Sequence, residues 1–290
     1  MNYQERKVYI GLVSDDFCFV IVNRGYPWWP AEEIAMRDGP LAGRHALVTG
    51  GGSGIGLAVA TALTASGARV TVLGRREAVL RAAVADGHAA FYFVADVTGE
   101  DAVPSAIAAA APILGPVLLL VNAAGAAETD PFGKTSMASF ERMWRVNVLG
   151  AVAATQAVLP GMVEAGFGRV VNIASTASLK GYRYVSAYVT AKHGLLGFTR
   201  ALAQELAGSG ITVNAVCPGF TDTALVADSL ARIVARTGRP PEHALAELTQ
   251  TNPLGRLIRP EEVAASVAYL CLPDAAGVNG QALAVDGGET

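Results

Sequence analysis

HALVTGGGSGIGLAVATAL occupies residues 45–63, and the order of its parts decides the fold. A short apolar run (45–49) of strand character meets a turn holding Gly50, Gly51, Gly52, Ser53, Gly54, Ile55 and Gly56, and an alanine-rich stretch of helical spacing follows at once. Glycines allow a tight strand-to-helix turn, and the first amides of a helix have no intrahelical partner, so this junction presents free N–H groups and a positive dipole end to an anion. A glycine-rich turn also serves as a plain connection, so its meaning rests on its surroundings.

Outward from that unit, β-rich apolar runs alternate with longer segments of helical period. Strands are expected near residues 44–49, 69–73, 91–95, 117–122, 169–173, 212–216 and 282–285, with helical spacing over 57–66 and 187–206 among others. Continuous apolar strands suit a sheet buried on both faces, and right-handed crossovers between them give an α/β, doubly wound, Rossmann-type domain with a parallel sheet of about seven strands. Residues 40–290 form this single domain in the sequence reading, since no repeat, low-complexity tract or linker divides it. Residues 1–39 read as an N-terminal extension. The apolar stretch 8–22 is interrupted by Asp15 and Asp16 and is too short to cross a bilayer as a helix, and Met36 just before the domain is the expected true start. An accessory arm using Trp28 and Trp29 is the alternative.

With 22 basic and 25 acidic residues the formal charge is −3 and no long basic run occurs, which speaks against a general nucleic-acid surface. Cys18, Cys217 and Cys271 are far apart and in no metal-ligand or redox spacing, so reduced thiols in a cytoplasmic protein and no metal site are expected.

The chemistry-bearing residues follow the strands. A glycine turn in this context fits the pyrophosphate of a dinucleotide, and after the second strand stand Arg75 and Arg76 where an acid would hold ribose hydroxyls. An arginine pair there suits a 2′-phosphate, hence NADP(H) over NAD(H), although two solvated arginines at a helix start look the same. Tyr188 and Lys192 lie four residues apart, on one face of a helix. A nearby cation stabilises phenolate and so makes a tyrosine a usable acid or base, while a packed ring beside a solvated amine is the bland reading. Ser175 lies thirteen residues upstream of Tyr188, just beyond a strand's carboxyl end, where ligands of open α/β sheets bind and where a hydroxyl can orient a substrate oxygen.

Together these motifs resemble the short-chain dehydrogenase/reductase family from Gly39 onward. The likeness runs through Thr49 to Gly56, Asp96 after the third strand, Asn122-Ala123-Ala124-Gly125 after the fourth, Asn147, Ser175, the Tyr188/Lys192 pair, and Pro218-Gly219 with Thr223. The resemblance implies Tyr188 as acid in reduction and base in oxidation. It implies that Lys192 lowers the tyrosine pKa and holds the nicotinamide ribose, that Ser175 orients the carbonyl, and that Asn147 supports a water relay to Lys192. For the cofactor it implies Gly50, Ser53, Gly54, Ile55 and Gly56 at the pyrophosphate, Arg75 and Arg76 at the adenosine phosphate, and Asp96 and Val97 near adenine. Asn122, Ala123 and Gly125 would line the adenosine side, with Pro218, Gly219, Thr221 and Thr223 at the nicotinamide end. Ala123 and Thr221 depart from the commonest family residues, and Ser53 stands where NADP users often carry a base.

A substrate lid is expected over 223–253, with helical stretches at 225–236 and 241–248 whose apolar residues suit an acyl group. Regions 211–220 and 174–181 most resemble fatty-acid and polyketide ketoreductases. The expected activity is reduction of a 3-oxoacyl thioester or related ketone. An NAD-dependent catabolic alcohol or 3-hydroxyacyl dehydrogenase is the alternative, and a catalytically silent nucleotide sensor is the alternative of another class. Apolar helices at 148–159 and 195–206 predict a homo-oligomer, a dimer or tetramer.

Overall fold

The computed structural model describes residues 38–290 except 100 and 239. Met36, Cys18 and the aromatic arm therefore lie outside the described residues.

Seven parallel strands form one sheet in the order β3-β2-β1-β4-β5-β6-β7. They are β1 (His45–Thr49), β2 (Arg69–Gly74), β3 (Phe91–Val94), β4 (Val117–Asn122), β5 (Gly168–Ile173), β6 (Ile211–Pro218) and β7 (Ala282–Val285). The helices are α1 (Gly54–Ala65), α2 (Glu77–Ala85), α3 (Ala102–Leu114), α4 (Met137–Trp144), α5 (Gly150–Glu164), α6 (Ser186–Glu205), α7 (Ala224–Thr237), α8 (Pro241–Thr249) and α9 (Pro260–Cys271). The expected fold and all seven expected strands are present.

Strand side chains alternate between faces, so each strand feeds two cores. Val48, Val72, Val121 and Val171 pack with Val59 and Leu63 of α1 and Val267 and Leu270 of α9. On the other face Leu47, Leu73, Leu120 and Val170 meet Ala106 of α3, Ala154 and Val158 of α5 and Ala203 of α6. The seventh strand departs from the expected two-sided burial: Leu283 and Ala284 are exposed. It is the sheet's last strand, flanked on one side only.

His45, buried at the start of β1, links three strands' surroundings through its ring, with Nδ1 3.0 Å from the Gly115 carbonyl oxygen and Nε2 2.9 Å from Thr71 Oγ1. A carbonyl can only accept, so Nδ1 carries the proton and Nε2 accepts from the threonine. Burial lowers the imidazole pKa to about 4, so the ring is neutral at pH 7.

The register brings the strand ends level: Thr49 pairs with Asn122, and Asn122 with Asn172. Strand order reverses between β1 and β4, because β1 leads outward to β2 and β3 while β4 leads to β5, β6 and β7. Loops after these strands diverge there and leave a crevice at the carboxyl edge, the ligand position of open α/β sheets. The helical run 137–164 has the length and mean hydropathy, 1.5, of a membrane span, but a π-turn divides it and buried residues of both halves pack into the cores.

Candidate active site

At the crevice the glycine turn is shaped by contacts that exclude side chains. Gly50 has φ +68°, and a Cβ there would stand 2.8 Å from the Ala124 nitrogen. A Cβ at Gly56 would stand 2.3 Å from the Gly50 carbonyl oxygen, which fixes the first turn of α1 tightly beneath the loop. Gly51 and Gly52, which the sequence reading gave no individual role, are equally constrained, because a Cβ would press Val72 in one and Val79 in the other. Thr49, the first residue of the glycine motif, has its own part: its hydroxyl accepts the amides of Ala123 and Ala124, both at 3.2 Å, and so locks the glycine turn to the loop after β4.

Ser53 stands at the N-cap position of α1 in extended backbone, and its hydroxyl accepts from Arg76 Nη2 at 3.1 Å. Arg75 Nη1 lies 3.8 Å from Asp96 Oδ2, with both side chains substantially exposed. The two guanidinium groups thus lie at the loop's rim, one on Ser53 and one facing Asp96. Asp96 itself accepts from the Thr98 amide and hydroxyl at 2.9 and 2.8 Å. Val97 is buried, and a Cβ at Gly150 would touch it, so its side chain belongs to the packing of α5.

Asn122 turns its side chain away from the crevice. Its Nδ2 donates to Asn172 Oδ1 at 2.9 Å, and Asn172 Nδ2 donates to Thr199 Oγ1 at 2.9 Å, a buried network joining β4, β5 and α6. Ala123 follows at the strand end, and Gly125 stands between two site groups: a Cβ there would be 3.0 Å from Asn147 Oδ1 and 3.7 Å from Lys192 Nζ.

Asn147 lies in a π-turn, Arg145–Leu149, between α4 and α5. Such widened turns recur at functional sites because the extra residue re-aims a side chain. Here Asn147 Nδ2 donates to the carbonyls of Ala126 and Met143, each at 3.0 Å. Ser175 sits two residues beyond β5, and its Oγ accepts from the Ala177 amide at 3.1 Å.

Tyr188 and Lys192 project from α6 into the same buried space, the ammonium 5.7 Å from the phenol ring centroid. Lys192 is 4% exposed and donates to the Ile173 carbonyl at 2.8 Å, which anchors α6 to the end of β5. Burial pulls its pKa down to about 8, with Cys217 opposing. Burial raises the Tyr188 phenol above its ordinary pKa, and the Ser175 hydroxyl bonded to it opposes that rise.

Pro218 ends β6, and the chain then turns across the crevice. Gly219 passes Asp286 closely, Thr221 Oγ1 donates to the Gly219 carbonyl at 3.0 Å, and Thr223 precedes α7. A Cβ at Gly54 would lie 3.1 Å from the Thr223 methyl, so this segment and the glycine loop face one another. Ile55 is half-buried behind the loop, against the core that includes α1. The structure brings the glycine turn, the 218–223 segment, Gly125, Asn147, Ser175, Tyr188 and Lys192 to one edge, and leaves the side chains of Asn122 and Val97 in the interior.

A parallel sheet of this order, with a glycine cradle and a Tyr–Lys–Ser group at its carboxyl edge, defines an oxidoreductase of Rossmann type. Residues 50–290 match the protein family described as enoyl-(acyl carrier protein) reductase. The chain is 41% identical over 88% of its length, and 98% of the relative, to a Streptomyces coelicolor protein bearing the name of a ketoacyl reductase. It is 36% identical over 86% of its length to the D-beta-hydroxybutyrate dehydrogenase of Cupriavidus necator, covering 98% of that protein. A crystal structure of a variant actinorhodin polyketide ketoreductase with NADPH superimposes with TM-score 0.81 at 39% identity, covering 85% of this chain and 97% of that one. The chain belongs to the short-chain dehydrogenase/reductase family, and it is an oxidoreductase acting on CH–OH groups. NAD(P) is the cofactor class typical of that family.

Proposed function

We propose that this protein reduces a ketone to a secondary alcohol, with a 3-oxoacyl thioester or closely related ketone as substrate and NADPH as reductant. The observation that carries the reading is the half-buried Tyr188 and buried Lys192 meeting Ser175 at the carboxyl end of β5, opposite the glycine loop.

The crevice fits a dinucleotide on its own chemistry. Glycine positions that no side chain can occupy leave the loop backbone bare at a helix N-terminus, where a pyrophosphate is favoured. Gly50, Ser53, Gly54, Ile55 and Gly56 would hold that group, and Asp96, Val97, Asn122, Ala123 and Gly125 would wall the adenosine side. In this assignment Asn122 and Val97 act by fixing the backbone. Pro218, Gly219, Thr221 and Thr223 would hold the nicotinamide end, which supplies the hydride when bound.

Every proton step belongs to the chain. A phenol whose pKa is raised by burial stays protonated at neutral pH, so Tyr188 suits donation to the substrate oxygen as negative charge develops there. The Ser175 hydroxyl beside it orients that oxygen. Lys192, held by Ile173, keeps a positive charge next to the phenol and steadies the tyrosinate left by donation. Asn147, aimed by its π-turn toward Gly125 and Lys192, would hold the water that returns a proton through the lysine. Arg75 and Arg76 at the loop rim offer charge-assisted bonds to a 2′-phosphate, which favours NADP(H). The 223–253 segment, with Leu225 and Leu245 exposed on α7 and α8, would close over an apolar acyl chain.

Exposed Trp144, Leu149 and Val163 along α4 and α5, and Leu283 on β7, support a homo-oligomer, a dimer or tetramer. Ser53 favours the second reading, NAD-dependent oxidation of a 3-hydroxyacyl or other secondary alcohol, since it places no cation inside the loop. Rates of NADPH and NADH oxidation, measured side by side with a short 3-oxoacyl thioester, test the choice. Rapid turnover with strong NADPH preference is expected; NADH preference would favour the second reading.

A further inference from the structure

We propose that Glu289 is a positioning residue that clamps the substrate side of the crevice, tying the segment behind Ser175 to the end of α8; this rests on Ser175 and Tyr188 being the reacting pair. Its carboxylate is one of the most enclosed charges described, with 1% of the side chain exposed. One oxygen, Oε1, meets three donors: the Tyr182 hydroxyl at 2.6 Å, Thr251 Oγ1 at 3.0 Å and Lys180 Nζ at 3.0 Å. Lys180 also donates to the Glu289 backbone carbonyl at 3.2 Å.

These partners come from both walls of the crevice. Lys180 and Tyr182 lie between β5 and α6, and Thr251 follows α8. The Tyr182 oxygen is also 2.7 Å from Thr176 Oγ1. A phenol has one proton and a carboxylate only accepts, so Tyr182 donates to Glu289 and Thr176 donates to Tyr182. The relay thereby ends one residue from Ser175. Tyr182 also meets Phe220 edge-on, with ring centroids 6.1 Å apart, which links the relay to the turn after β6.

The chain around Glu289 is built to deliver it. Gly287 has φ +71°, and a Cβ there would stand 2.1 Å from Asn252 Oδ1, so only glycine lets the backbone pass this close to the α8 end. Asp286 then accepts from the Gly288 amide at 3.0 Å and from the Thr290 amide and hydroxyl at 3.0 and 2.6 Å, folding 286–290 into a closed turn. A carboxylate withdrawn from water in this way needs strong compensation, and it has an ammonium and two hydroxyls. Removing it leaves Lys180 and two hydroxyls without their acceptor and releases both walls together. Substrate binding should weaken more than nucleotide binding: the glycine loop stands at the end of β1, away from these partners, while Gly219 at the nicotinamide end lies beside the carboxylate, a Cβ there standing 3.4 Å from Glu289 Oε2.

The test compares the full-length wild type with Glu289→Ala and Glu289→Gln, using steady-state kinetics on a short 3-oxoacyl thioester, nucleotide affinity by fluorescence, and peptide hydrogen exchange. Glu289→Ala should raise the ketone KM about tenfold with kcat little changed and nucleotide Kd raised much less than KM, while Glu289→Gln, which still accepts from Tyr182 and Thr251, restores most of the loss. Exchange in Glu289→Ala should quicken in both 176–184 and 249–254. Quickening confined to 286–290, or an unchanged KM, would overturn the clamp. Should Glu289→Ala fail to fold, Tyr182→Phe must quicken exchange in 176–184 and Thr251→Val must quicken it in 249–254, and the absence of either effect would overturn the clamp. A wild type that turns over no ketone would refute the reductase reading, and the exchange pattern would still decide the clamp.

Discussion

Lowering the pH from 7 to 5 should destabilise this protein through one imidazole. His45 is buried, neutral and bonded at both nitrogens, and its pKa falls from 6.5 to about 4 because burial disfavours the charged ring. The unfolded chain's imidazole takes up a proton as pH drops through 6.5, whereas the folded one stays neutral until about 4. The unfolded state therefore binds more protons across that window, and stability rises with pH within it. At pH 5 the unfolded ring is about 1.5 pH units below its pKa, and at about 1.4 kcal/mol per unit the folded state loses about 2 kcal/mol. Carboxylates respond over part of the same range, so the comparison is with His45→Gln, which keeps an amide donor toward Gly115 and cannot titrate. Urea unfolding followed by circular dichroism at both pH values supplies the numbers. The wild type should lose about 2 kcal/mol more than His45→Gln between pH 7 and pH 5. Equal losses would refute the assignment of a neutral, desolvated ring.

Three further outcomes follow from the site. The Lys192 ammonium, with its pKa lowered to about 8, loses its charge above that pH, so kcat/KM for ketone reduction should fall about tenfold per unit beyond it, and Lys192→Arg should flatten the profile in whatever activity it keeps. Gly56→Ala places a Cβ 2.3 Å from the Gly50 oxygen and should weaken nucleotide binding at least about tenfold, read by fluorescence titration. Asn122→Leu leaves Asn172 Oδ1 without its buried donor and should cost about 1–3 kcal/mol in urea unfolding.

Strand runs such as 117–122 were legible because a strand buried on both faces must be apolar throughout, and the glycine turn because its spacing serves one backbone geometry. Tyr188 and Lys192 were legible as neighbours on α6 for the same kind of reason, helical spacing. What escaped was whatever depends on packing between distant segments. The upward direction of the phenol's shift depends on how α6 packs against its neighbours, which is not local. Asn122 read as a crevice residue from its place after β4, but its side chain answers Asn172 on the next strand. The exposed outer side of β7 follows from its place at the end of the sheet order, which an apolar tetrapeptide does not encode. Glu289 gave no signal beyond the Gly287-Gly288 pair, because its partners lie at residues 180, 182 and 251.

The most direct test of the central claim is Tyr188→Phe, which removes the proton donor and keeps the ring that packs against α6's neighbours. With a ketone that the wild type reduces, kcat should fall at least about a hundredfold while nucleotide affinity stays within error of wild type. Turnover close to the wild-type rate would contradict the assignment of Tyr188 as the acid and with it the mechanism built on the Tyr188–Lys192–Ser175 group.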